Sequence, residues 1–248
     1  PPLMTGRSAE QAAVQAAWAE GKAVLLEGEA GMGKSRLLAE TLSGGAPATL
    51  QAAGRPGDSG APYSTLARLL HPVLVSHAAQ LSSSAHDALG RLGGSSGVSA
   101  PASPLPPGAM LAAVAELLGC AGADTVALDD LHFADAATLD LVSGLVSSLA
   151  TAATHRRWLF AQRPAEAPAA AQTLRDALLE LQRLAIVTLQ PLDEAGATLL
   201  VDTLGISGLQ GHALAPALVR HSGGNPLFLL ETLKQGLAEL LDSLQTRD

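Results

Sequence analysis

The sequence predicts an α/β protein: a five-stranded parallel sheet with helices on both faces, followed by a small all-helical subdomain. Three observations predict it. A G-x4-G-K-[ST] pattern, Gly28 to Ser35, stands between an apolar run and a helical stretch. Short apolar strands then alternate with helical spacings as far as Leu189, the arrangement of a parallel sheet buried on both sides. After Pro191 only helical spacings remain. That change sets a boundary near residue 190, with residues 1–190 as one part and 191–248 as the other.

Taken in order, Leu3 to Arg7 form an extended lead-in, and Ser8 is expected to cap a helix over 10–20 that buries Val14, Ala17 and Trp18. Ala23 to Leu26 is the first strand, and Arg36 to Leu42 the helix after the Gly-rich turn. Residues 48–52 give a short second strand. Leu66, Leu69, Leu70, Val73 and Leu74 place a helix over 64–75. Residues 82–107 lose all pattern and, with Gly93-Gly94-Ser95-Ser96-Gly97 and prolines at 101, 104, 106 and 107, read as a surface loop. A helix over 109–118 leads to the strand Thr125 to Leu128, which ends in Asp129-Asp130. Asp135 is expected to cap the next helix. Residues 158–161, 172–184 and 185–189 complete the alternation as strand, helix and strand. In the last part Asp193 caps one helix, a second spans 213–221, and Asn225 with Pro226 opens a third.

The Gly-rich turn carries the chemistry. Its glycines allow positive φ and close approach of the backbone to a phosphate, and the following helix N-terminus offers unpaired N–H groups and partial positive charge. Lys34 is expected to reach the β- and γ-phosphates and Ser35 to ligate Mg²⁺. Such a loop needs a metal-holding carboxylate on a nearby strand. Asp129 stands at the C-terminal end of the third strand, where open parallel sheets bind ligands. Asp130, one residue on, could serve as general base; beside a phosphate loop these roles are favoured over the alternative, that both carboxylates only cap the strand.

Leu128-Asp129-Asp130-Leu131-His132-Phe133-Ala134-Asp135 resembles the extended Walker B motif of STAND signal-transduction ATPases, AAA+-related switches found in large MalT-like and LuxR-type regulators. Phe133 replaces the tryptophan usual there. Glu27 to Leu38 is similar to the same group's phosphate loop, which implies nucleotide contacts from Glu29, Ala30, Gly31, Met32, Gly33, Lys34, Ser35 and Arg36. The resemblance also implies that Gly6-Arg7 lies against adenine and ribose, although Thr5 and Ser8 depart from the family pattern. It makes Arg163 a sensor of the γ-phosphate, working with Lys34 and Asp130, and brings Asn225-Pro226 to the adenine. It further implies an AAA+ strand order of 5-1-4-3-2. His132 either couples nucleotide state to the following helix or is a partly buried polar residue.

Function follows from these expectations: an ATP/ADP-binding, Mg²⁺-dependent slow ATPase acting as a regulatory switch within a larger, transcription-regulating protein. Protein partners or self-association belong to that larger protein. A free-standing P-loop enzyme, ATPase or small-molecule kinase, is the alternative, but 191–248 offers only Arg220 and Arg247 for a kinase lid. Net charge −8 and few aromatics argue against nucleic-acid binding by this segment. No stretch is apolar enough to span a membrane and no export signal is visible. The lone Cys120 excludes an internal disulfide and suits a reducing, cytoplasmic setting.

Overall fold

A computed structural model describes residues 4–43, 48–93, 106, 108–148, 156–206 and 209–245. Its centre is a parallel five-stranded sheet ordered β2-β3-β4-β1-β5, the expected 5-1-4-3-2 read from the opposite edge. The strands are β1 (Ala23–Glu27), β2 (Thr49–Ala53), β3 (Thr125–Asp129), β4 (Arg157–Gln162) and β5 (Leu184–Thr188). β1 and β3 are buried along their whole length, which is why both read as unbroken apolar runs rather than alternating ones. β4 separates them, pairing Leu25 with Phe160 on one side and Ala127 with Leu159 on the other.

Helices cover both faces. Successive side chains of a strand point to opposite sides, so Trp158 and Phe160 pack with α5 (Ala109–Cys120), α6 (Ala136–Ser148) and α7 (Ala169–Glu180). Leu159 and Ala161 pack instead with α1 (Ser8–Ala19) and α2 (Lys34–Ser43). α3 (Ser64–His77) and α4 (Ser83–Leu89) extend the first of these layers. Beyond β5, α8 (Glu194–Asp202), α9 (Gly211–Ser222) and α10 (Pro226–Gln245) enclose a separate apolar cluster that includes Leu192, Ala197, Leu218 and Leu229.

Two local expectations need correction. α4 lies inside the stretch read as patternless: Ser82 caps it, and Ala85, Ala88 and Leu89 bury against the α3–α5 layer. Seven residues are too few for periodicity to declare a helix that tertiary packing stabilises. Ser8 does not cap α1; it is the first helical residue, and Arg7 occupies the cap position without a side-chain cap bond. The tract 94–105, read as loop, lies outside the described residues.

Candidate nucleotide site

The site forms where three strand ends converge. β1 delivers the loop Gly28 to Gly33 onto the N-terminus of α2, β3 delivers Asp129 and Asp130, and β4 delivers Arg163. The ends of β1 and β4 are tied by a hydrogen bond of 3.0 Å from Gln162 Nε2 to Glu27 Oε1. That carboxylate is itself faced by Arg175 at 3.4 Å. Gly31 and Gly33 adopt φ of +81° and +92°, backbone geometry open to glycine at little cost.

A cavity of about 440 Å³ opens beside this loop. Its polar wall holds Arg7, Ala30 to Arg36, Asp130 and Arg163; its apolar wall holds Met4, Leu192, Leu200, Pro226, Leu227 and Leu230. The sheet part and the helices α8 and α10 therefore face each other across one cleft. Arg7 is buried, donating from Nη1 to Glu10 (2.7 Å) and from Nη2 to the Met32 carbonyl (3.2 Å). Gly6 (φ +69°) does not line the cavity; it lies beside the helical part, where an added Cβ would stand 3.4 Å from the Gly196 Cα and 3.5 Å from Leu192. Glu29 is outside the cavity lining as well, contributing its carbonyl to Lys34.

Lys34 Nζ donates to the carbonyls of Gly28 (2.8 Å) and Glu29 (2.9 Å). Burial, then the nearby Arg163 charge, pull the Lys34 pKa below its ordinary value. Asp129 is buried and its pKa is raised, first by burial, with the neighbouring Ser35 hydroxyl acting in the opposite direction. This oxygen pair fits Mg²⁺: both donors are hard, and a dication would relieve the buried carboxylate. Mg²⁺ completes its shell with water and phosphate oxygens, so two protein ligands suffice. Among the described residues no group of three or more His, Cys, Asp or Glu could hold a metal alone.

Asp130 faces the cavity from a left-handed conformation (φ 50°, ψ 50°), rare for a residue with a Cβ. Arg163 Nη1 is engaged by Glu166 at 2.9 Å and 3.3 Å. Between these two groups sits the His132 ring, its side chain 1% exposed, with Nε2 3.8 Å from Asp130 and 3.9 Å from Glu166. Neither ring nitrogen has a hydrogen-bond partner, and burial is the first cause of its lowered pKa.

Asn225 caps α10 through Oδ1, as expected, but its side chain does not line the cavity; Nδ2 donates to the Ala30 carbonyl at 2.7 Å. Pro226, beside it, does line the cavity. Sequence reasoning missed Met4, Leu192, Leu200, Leu227 and Leu230, whose apolar spacing has the signature of core residues. It also missed Gly54, where an added Cβ would stand 2.5 Å from the Asp130 carbonyl.

The phosphate loop, the carboxylate-tipped third strand and the strand order together define a P-loop ATPase fold of the AAA+ branch. The chain belongs to the AAA ATPase domain family, whose model matches residues 4–160. Among solved structures it is similar to the Walker-type ATPase paby2304 of Pyrococcus abyssi, with TM-score 0.53 and 15% identity over 100% of this chain and 79% of that one. It is also similar to the ORC2 protein of Aeropyrum pernix in its ADPNP–ADP complexes, with TM-score 0.58 and 12% identity over 98% of this chain and 65% of that one. Identities this low speak to the fold alone. No curated protein matches the chain.

Proposed function

We propose that this chain is an ATP/ADP-binding switch of the STAND kind, with slow Mg²⁺-dependent hydrolysis, serving as the regulatory module of a larger, transcription-regulating cytoplasmic protein. Residues 1–190 hold the phosphates and residues 191–248 act as a lid. The observation that carries this reading is the two-sided cavity: a polar wall from the phosphate loop, Asp130 and Arg163 opposes an apolar wall from Leu192, Leu200, Pro226, Leu227 and Leu230. The polar side suits a triphosphate and the apolar side a flat base, as in most nucleotide clefts. In this reading Lys34 holds the β- and γ-phosphates, Ser35 and Asp129 hold Mg²⁺, Asp130 activates water, and Arg163 detects the γ-phosphate. Mg²⁺ supplies charge neutralisation on the phosphates. Signalling runs through protein partners or self-association of the longer protein, not through nucleic acid bound to this segment.

Lys34→Ala tests the assignment. Removing a charge-assisted phosphate contact costs about 1.5–3 kcal/mol, or one to two decades of ATP affinity. Titration calorimetry with Mg²⁺ present should show that loss, with melting curves confirming the fold. Unchanged affinity refutes the site.

A further inference from the structure

The phosphate-loop pattern prescribes Gly28, Gly33, Lys34 and Ser35 but leaves position 31 open. Gly31 is nonetheless fixed twice. Its φ is +81°, and a Cβ there would stand 2.5 Å from Asn225 Oδ1 and 2.8 Å from Leu227 Cβ. The tip of the loop thus packs against the first turn of α10 with no room for a methyl group.

Hydrogen bonds cross this contact. Asn225 Nδ2 donates to the Ala30 carbonyl at 2.7 Å, and the Leu227 amide donates to the Gly31 carbonyl at 3.3 Å. The same Asn225 side chain accepts, through Oδ1, from the amides of Leu227 (3.0 Å) and Phe228 (3.4 Å). One carboxamide does two tasks of opposite polarity: its oxygen caps α10 and its NH₂ grips the loop.

We propose that Asn225 is a latch that carries phosphate occupancy of the loop to the helices α8–α10. In a planar trans peptide the carbonyl and the next N–H point in opposite directions. Asn225 drawing on the Ala30 carbonyl therefore turns the Gly31 N–H away from α10. A phosphate that takes this N–H pulls the other end of the same peptide group. Each interaction orients and polarises the group for the other, so phosphate binding tightens the latch and the docked helix pre-forms the loop, a reciprocal coupling. The inference rests on the nucleotide reading above for the identity of the anion; the contact of Asn225 with the loop does not.

Asn225→Asp separates the two tasks, because Asp caps a helix as well as Asn does yet cannot donate to Ala30. Asn225→Ser, uncharged and too short to reach, controls for carboxylate–carbonyl repulsion. Hydrogen exchange of the first turn of α10 and of α8 is followed in both variants and the parent, without nucleotide and with ADP, beside calorimetric ADP affinity. In the parent, ADP should slow exchange in both helices. In both variants that slowing should disappear, exchange without nucleotide should already be faster, and ADP should bind roughly 3- to 10-fold more weakly, the loss of one hydrogen bond. Parent-like ADP protection in Asn225→Asp, or parent-like affinity in Asn225→Ser, overturns the latch. A parent chain that binds neither ATP nor ADP would refute the nucleotide reading instead. The latch would then stand or fall on the nucleotide-free exchange rates, equal rates in variant and parent refuting it.

Discussion

Asp129 and Asp130 are adjacent in sequence but sit in different environments, and that difference divides their proposed roles. Asp129 is buried beside the Ser35 hydroxyl and accepts the Asp130 amide at 2.8 Å. Asp130 is turned into the cavity by its left-handed backbone, and strain of this kind gathers at functional sites. Asp129→Asn should therefore weaken Mg²⁺-dependent ATP binding, while Asp130→Asn should leave binding within about twofold and slow single-turnover hydrolysis roughly 10²- to 10⁴-fold, the usual worth of a positioned general base. Hydrolysis by Asp130→Asn at the parent rate would remove it from the chemistry. Arg163 is held by Glu166 in this structure, so a γ-phosphate must compete with that carboxylate. Exposed pairs of this kind contribute little, because solvent screens them. Glu166→Gln, which keeps the shape and removes the charge, should tighten a non-hydrolysable ATP analogue relative to ADP. Competition titrations with the two nucleotides read that ratio, and an unchanged ratio means that Arg163 does not sense the γ-phosphate from this position.

At the scale of elements, Asp135 binds more together than its sequence position announces. As expected it caps α6, accepting the Thr138 amide at 2.8 Å. It also accepts the amides of Tyr63 (2.7 Å) and Thr65 (3.1 Å) at the start of α3. One buried carboxylate thus serves two helix starts, and these bonds outweigh the opposing effect of burial and hold its pKa below the ordinary value. A carboxylate so placed stabilises the fold above its unfolded pKa of about 3.9 and loses that contribution as pH falls through its lower folded pKa. Asp135→Ala should cost about 2–4 kcal/mol, two caps at once, measured by denaturant unfolding at neutral pH. The cost should shrink as the parent is acidified below about pH 4, and a loss under 1 kcal/mol would show that the α3 contact is incidental. The second cap was illegible in the sequence because its partners lie some seventy residues away. The same reason hides Gly54, whose constraint is imposed by the 130–134 turn, and the Nδ2 bond of Asn225 to Ala30. What the sequence did disclose is local or periodic. Apolar runs gave all five strands to within a residue or so, and the phosphate loop is a contiguous motif. The apolar cavity wall escaped because a leucine facing a base cleft and a leucine facing a core obey one spacing.

For the whole molecule, the cleft between the sheet and the helices makes a conformational reading testable. The two parts meet at specific places, among them Gly6 beside Gly196 and the first turn of α10 on the phosphate loop. α8–α10 keep an apolar cluster of their own. We expect such a body to change orientation without unfolding. A ligand biases that orientation only through contacts that differ between arrangements, and the γ-phosphate is the one group separating ATP from ADP. In the proposed reading the groups that feel it are Arg163, Asp130 and Lys34, all lining the sheet side of the cleft. We therefore expect turnover well below the ~10 s⁻¹ typical of enzymes, since slow hydrolysis keeps the ATP state long enough to be read. ADP and a non-hydrolysable ATP analogue should give different small-angle scattering profiles and different hydrogen exchange across residues 191–245. Indistinguishable profiles together with fast steady-state hydrolysis would make this chain an ordinary ATPase whose helices merely cover the base.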